Sequence, residues 1–172
     1  MAVINLSGIP AGKGKNPPGL AALYMIDLEA IEAIPAAVSG EITTDLTLAS
    51  GSTFVEIGIE PEAGAFFTIE EPDANGTTGY NITVNVFVAN DSKEQITAID
   101  AIDGVPLALI AVDKKGNKRL LFEQIEGVNR GIRLKPGKED AGKPGTRKGF
   151  LLTGMNDFNN LPPFYTGAIT TA

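Results

Sequence analysis

The sequence predicts a mainly β protein: an antiparallel β-sandwich or barrel of about eight strands carrying one short α-helix. Apolar residues recur at every second position over most of the chain, the period of a strand with one buried face. Gly, Pro and Asn punctuate these runs at short intervals, and a single segment switches to a helical period. One run, 105–112, is apolar at nearly every position, as expected of a central strand buried on both faces.

Residues 1–20 read as an N-terminal arm and 21–172 as a single β-rich domain. Within the arm, Val3-Ile4-Asn5-Leu6 is a very short strand candidate, and "LSGIPAGKGKNPPG" (6–19) looks at first like a phosphate loop. It fails that test twice: only three residues separate Gly8 from Gly12, and Lys13 is followed by Gly14 rather than by a hydroxyl residue. Asn16-Pro17-Pro18-Gly19 also cannot open the helix whose N-terminus completes such a site. The stretch is better read as an arm too rich in Gly and Pro to pack alone, with Lys13 and Lys15 available to a neighbouring subunit.

Alternation then places Ile42, Thr44, Leu46 and Leu48 on one face of a strand, and Val55, Ile57 and Ile59 on one face of the next. Segments 65–71 and 78–89 form a hairpin through Pro72-Asp73-Ala74-Asn75-Gly76, because Asn-Gly tolerates the positive φ of a tight turn. Tyr80, Ile82, Val84, Val86 and Val88 form the core face of its second strand. Ser92 and Gln95 have the spacing of a capping box, Ile96, Ile99 and Ile102 form a helical stripe assigned to the core, and Gly104 stops the helix. Asp100 and Asp103 lie at the end where the helix dipole disfavours them, so a cation on this chain or on a neighbour is expected nearby. After the strand at 105–112, with Pro106 at its start or on an edge, Asp113-Lys114-Lys115-Gly116-Asn117 turns into a strand at 118–123. Residues 128–134 alternate again, "KPGKEDAGKPGTRK" (135–148) reads as a long basic loop, and 149–155 is the final strand. The apolar run 161–165 then either caps the core or forms a docking patch.

Composition narrows the function classes. The 172 residues include neither cysteine nor histidine, which removes thiolate chemistry, disulfides, the usual neutral-pH base and the commonest metal ligand. Neither catalytic residues, nor a metal, nor any cofactor is expected. Glu70 and Glu71 are adjacent on a strand and therefore face opposite ways, so they do not form a catalytic pair. Asp73 and Asn75 begin like a calcium loop, but the glycine and closing glutamate of an EF-hand are missing. No run reaches the ~20 apolar residues of a membrane span, and the N-terminus lacks a secretion signal, so no membrane partner and synthesis in a cytoplasm are expected. Asn75, Asn81 and Asn90 head N-x-[ST] triplets but are read as turn and strand residues.

Charge is segregated. Residues 1–113 carry a net of −13 and residues 114–172 a net of +6. Such segregation suits a subunit that sets its basic side against a neighbour's acidic side, and it opposes binding of DNA phosphates. The loop lysines and arginine, Lys135, Lys138, Lys143, Arg147 and Lys148, together with Phe164 and Tyr165, are the candidate assembly residues alongside those of the arm. The basic loop lacks the aromatics that stack on nucleic-acid bases.

"IAVDKKGNKRLLFEQIEGVNRGIRL" (110–134) and "KGFLLTGMNDFNNLPPFYTG" (148–167), following the short helix, resemble the C-terminal half of the tail tube (major tail) proteins of long-tailed bacteriophages. The likeness covers roughly 92–167 and lies in the helix before a buried strand, the acidic-lysine-glycine turn, the late Gly-Phe-Leu-Leu-Thr strand and the proline-aromatic ending. It implies a virion protein assembled in the host cytoplasm, forming rings that are hexameric and stack into a DNA-conducting tube. The implied partners are further copies of itself, other tail proteins, and genomic DNA that passes without specific binding. Two other classes share parts of this profile. A tail-completion, neck-ring or capsid-decoration protein would form discrete oligomers, and a carbohydrate-binding β-sandwich would need the aromatic platforms that a chain without Trp lacks.

Overall fold

The computed structural model describes residues 19–59, 65–70, 79–89, 92–140 and 148–172. The arm preceding Gly19, the Asn75-Gly76 turn and the 141–147 part of the basic stretch lie outside them.

The expected mainly β class holds, as two packed sheets and one helix. A six-stranded sheet runs in the order β3 (Glu41–Ile42), β14 (Phe164–Tyr165), β9 (Lys118–Leu121), β8 (Leu107–Asp113), β1 (Leu20–Asp27) and β5 (Val55–Ile57). A four-stranded antiparallel sheet runs β12 (Lys135–Asp140), β13 (Gly149–Phe158), β7 (Tyr80–Ala89) and β6 (Phe66–Glu70). Two small ribbons pair β2 (Ile31–Ala33) with β4 (Thr47–Leu48), and β10 (Glu123–Ile125) with β11 (Val128–Arg130). The strands outnumber the expected eight because many of them span two or three residues, too few to display a period.

β8 organises the packing. Leu107, Leu109 and Ala111 point into a core shared with Ile82, Val84 and Val86 of β7 and Phe150 and Leu152 of β13. Ala108 and Ile110 point the other way, into a second core with Ile42, Phe54, Leu120 and Tyr165. The unbroken apolar run of the sequence therefore has the cause expected of it: both faces of this strand are covered. Pro106 lies just before the ladder, where its missing N–H costs nothing, and its carbonyl accepts the Leu28 amide at 3.1 Å. β1 pairs with β8 along its whole length, with a register shift between Leu20 and Ala22 that lets Leu20 and Leu23 share a face. This strand has no clean alternation in sequence and was not anticipated.

The helix α1 (Lys93–Ile102) carries the expected capping box: the Gln95 amide donates to Ser92 Oγ at 3.2 Å, and the Ser92 amide donates to Gln95 Oε1 at 2.9 Å. Its stripe is only partly core, however. Ile99 is buried and Ile102 packs beside it, whereas Ile96 is 44% exposed.

Three further expectations change. The alternating stretch 42–48 is not one strand, because β3 ends at Ile42 and β4 begins at Thr47 in a different sheet. Residues 128–134 break after β11, and Ile132 instead bridges Leu107 through two hydrogen bonds of 2.9 Å. Residues 135–140 are not loop but the strand β12, despite Pro136 and Gly137. The pairing with β13 slips between Pro136 and Lys138, and a bulge on an edge strand is where proline fits a sheet.

The two-faced burial of β8 is measurable. Ile110→Ala should lower stability by about 2–5 kcal/mol, whereas Val55→Ala, at a side chain 52% exposed, should change it by less than about 1 kcal/mol; urea unfolding of both variants makes the comparison.

Candidate assembly surface

The four-stranded sheet buries one face and leaves the other uncovered by any described element. Ile82, Val84 and Val86 face the core, so the alternate residues Asn81, Thr83, Asn85 and Phe87 form the outer side of β7. Register extends these into rows. Glu70, Asn81 and Asp157 lie abreast at one end, where Asn81 Nδ2 donates to Asp157 Oδ1 at 2.9 Å. Nearer the middle, Phe66, Asn85, Thr153 and Lys135 form a row across all four strands. A shallow groove of about 460 Å³ crosses this face, lined by Thr83, Asn85, Arg133, Lys135, Thr153 and Met155.

The sheet ends in β6 on one side and β12 on the other. Neither pairs with a further strand among the described residues. Four antiparallel strands are an even number, so the two edges run in opposite directions. The β6 edge carries Glu70 and the β12 edge carries Lys135 and Lys138.

Of the candidate assembly residues, Lys135 is exposed on β12, Lys138 stands opposite Leu151 in the same ladder, and Lys148 is exposed just before β13. Lys13, Lys15, Lys143 and Arg147 lie outside the described residues. Phe164 and Tyr165 are separated by the pleat of β14. Phe164 is 46% exposed, while Tyr165 is 2% exposed and belongs to the second core.

Tyr165 ties the C-terminal segment to the six-stranded sheet. Its hydroxyl donates to the Ala168 carbonyl at 2.7 Å and accepts the Leu46 amide at 3.4 Å. Burial raises its pKa; the Leu46 hydrogen bond opposes that rise and the Asp45 charge adds to it. Gly167 is needed here because a Cβ at that position would lie 2.6 Å from the Tyr165 ring. Asp45 Oδ1 accepts the Ala168 amide at 2.7 Å, and the Thr166 amide donates to the Ile42 carbonyl at 3.0 Å.

Phe164 faces a cation that sequence reasoning missed. The Arg119 guanidinium stands 4.6 Å from the Phe164 ring and 6.0 Å from that of Phe67 on β6, and Arg119 Nε donates to the Pro162 carbonyl at 2.9 Å. Burial lowers the Arg119 pKa from its ordinary value. No short-range pattern announces this clamp, because its two rings lie far from Arg119 and from each other in sequence.

The turn at Asp113 is rigidly made. Asp113 Oδ1 accepts the amides of Lys115 at 2.8 Å and Asn117 at 2.9 Å, Oδ2 accepts Asn117 Nδ2 at 2.8 Å, and Gly116 takes the positive φ of 88°. Partial desolvation raises the carboxyl's pKa, but the hydrogen bonds from Asn117 and Lys115 together with the Lys115 charge outweigh it and hold the pKa below 3.8. The exposed Lys114 and Lys115 are thereby held at the tip of the β8–β9 hairpin.

No helix of the described residues is long and apolar enough to cross a membrane, and none of their acidic side chains group in a way that could hold a metal ion. Compared with family models, curated proteins and solved structures, the chain matched none of them.

Because the folded pKa of Asp113 is depressed, its contribution is fully present above the ordinary carboxylate range and fades as pH falls through and below 3.8. Asp113→Ala should therefore be less stable than the parent at pH 7, with the gap in thermal midpoint narrowing toward pH 2. Gly167→Ala should lower the midpoint at both pH values, since its clash is with the Tyr165 ring, which stays uncharged across this interval.

Proposed function

We propose that this chain is a structural virion protein, a tail tube subunit whose rings stack into a DNA-conducting channel. The observation that carries this reading is the four-stranded antiparallel sheet with two oppositely directed edges. Placing the β12 edge of one copy beside the β6 edge of the next continues the ladder in antiparallel sense. Repetition about an axis then closes into a ring, because a heterologous contact with the right rotation closes on itself. Backbone pairing supplies the affinity, as in other cases of β-augmentation. The opposite charges of the two edges, Lys135 and Lys138 on β12 and Glu70 on β6, favour joining unlike edges, with neighbouring copies offset along the strands because Lys135 lies level with Phe66 in register.

Three further features support the reading. Unpaired edge strands are an aggregation hazard for a monomer but a resource for an ordered assembly. The net charge of −7 disfavours adhesion of DNA passing through a channel. The order of helix, buried strand, acidic turn and late strand over 92–167 resembles that of the tail tube family, a likeness that also implies hexameric rings. On this reading the chain needs no cofactor and performs no catalysis, and its partners are its own copies, other tail proteins and transiting DNA.

Negative-stain microscopy of the purified chain at rising concentration tests this directly. Rings with a central channel, lengthening into tubes, are expected; discrete oligomers that never stack would point to another virion assembly protein, and a monomer that binds glycans would remove the reading. Lys135→Glu combined with Lys138→Glu should shift ring formation to at least about tenfold higher concentration, read by sedimentation velocity, and adding Glu70→Lys should restore part of it.

A further inference from the structure

Among the described residues, two clusters of charge lack an ion-pair partner. Asp100 and Asp103 are exposed at the C-terminal end of α1, where the helix dipole disfavours them. Among the described residues the one ion pair joins Arg130 to Glu123, so neither aspartate has a cationic partner there. On the other side, Arg119 is half-buried between Phe67 and Phe164, with no carboxylate in ion-pair range among the described residues. A guanidinium held partly out of water gains more from an anion than a fully solvated one does.

Each leftover charge has an exposed apolar neighbour. Ile96 lies on the same helical stripe as Asp100 and Asp103, at spacings of four and seven residues, and is 44% exposed. Phe164, stacked on Arg119, is 46% exposed.

Their placement matters. α1 packs beside β12, one edge of the four-stranded sheet. Arg119 reaches Phe67 on β6, the other edge. Joining β12 of one copy to β6 of the next brings the helix of the first toward the Arg119–Phe164 pair of the second.

We infer that the Ile96–Asp100–Asp103 face of α1 docks onto the Arg119–Phe164 pair of a second copy of this chain. Ile96 packs against the free side of the Phe164 ring, and the two aspartates supply the counter-charge that Arg119 lacks among the described residues of its own chain. The interface rests on the ring reading, and it gives the ring a side-chain seam beside its backbone ladder.

The chain has no native cysteine, which makes the test unambiguous. With Ile96→Cys and Phe164→Cys together in one chain, a short bis-maleimide applied to assembled protein should give a ladder of covalent multimers on a denaturing gel. Each single variant should remain monomeric on the gel, because each seam then carries only one thiol. A double variant that assembles like the parent but remains monomeric on the gel overturns the interface. Asp100→Lys with Asp103→Lys provides a second readout, since lysine suits that end of a helix and leaves the fold intact by circular dichroism. The concentration for half-assembly should rise at least about tenfold, and an unchanged value overturns the inference. Tubes without a ladder would leave the ring reading standing and remove this seam, whereas a ladder of discrete oligomers that never form tubes would do the reverse.

Discussion

The rest of the structure depends on one strand being apolar on both faces. β8 cannot be stable against water on either side, so its sheet must be covered twice. The four-stranded sheet covers one face. The other is covered by a second layer in which Ile42, Phe54 and Tyr165 are brought from distant parts of the chain, and Tyr165 holds that layer through the Leu46 amide and the Ala168 carbonyl. The six-stranded sheet is thereby committed to internal packing. The four-stranded sheet, by contrast, needs to bury only one face, and no described element covers its outer side or pairs with either of its edges. The division between a sheet buried on both faces and a sheet buried on one follows from where the apolar residues are placed.

The parts legible in the sequence were those governed by short-range periodicity or local hydrogen bonding. The core face of β7, the doubly buried β8, the Ser92–Gln95 capping box and the Asp113 turn all rest on residues within a few positions of each other. Less legible were elements whose conformation is imposed from a distance. β1 lacks clean alternation because both of its faces pack and a bulge near Leu20 shifts its phase. β12 looks like loop because Pro136 and Gly137 are poor strand residues, yet an edge ladder with a bulge accommodates both. The 42–48 stretch alternates well but is divided between two sheets, since a two-residue pairing with β14 and another with β2 capture its ends.

The candidate surface shows the same division. Lysines at 135, 138 and 148 were visible as a charge pattern, and the ladder now gives two of them a defined strand. Adjacent Phe164 and Tyr165 looked equivalent as an apolar pair, but the pleat sends one outward and the other into the core. Arg119 went unnoticed because a cation–π contact depends on tertiary placement and leaves no local trace. It becomes informative beside Asp100 and Asp103, a pair of acids at the wrong end of a helix that makes local sense only when something outside the helix compensates them.

If the open edges of the four-stranded sheet are what join subunits, the backbone amides of β6 and β12 must change their hydrogen-bonding state on assembly while those of β8 do not. Hydrogen exchange measured on dilute and on assembled protein addresses this directly. A large gain of protection confined to residues 66–70 and 135–140 is expected, with β8 protected equally in both states. Assembled particles whose two edge strands exchange as fast as they do in the monomer would contradict it.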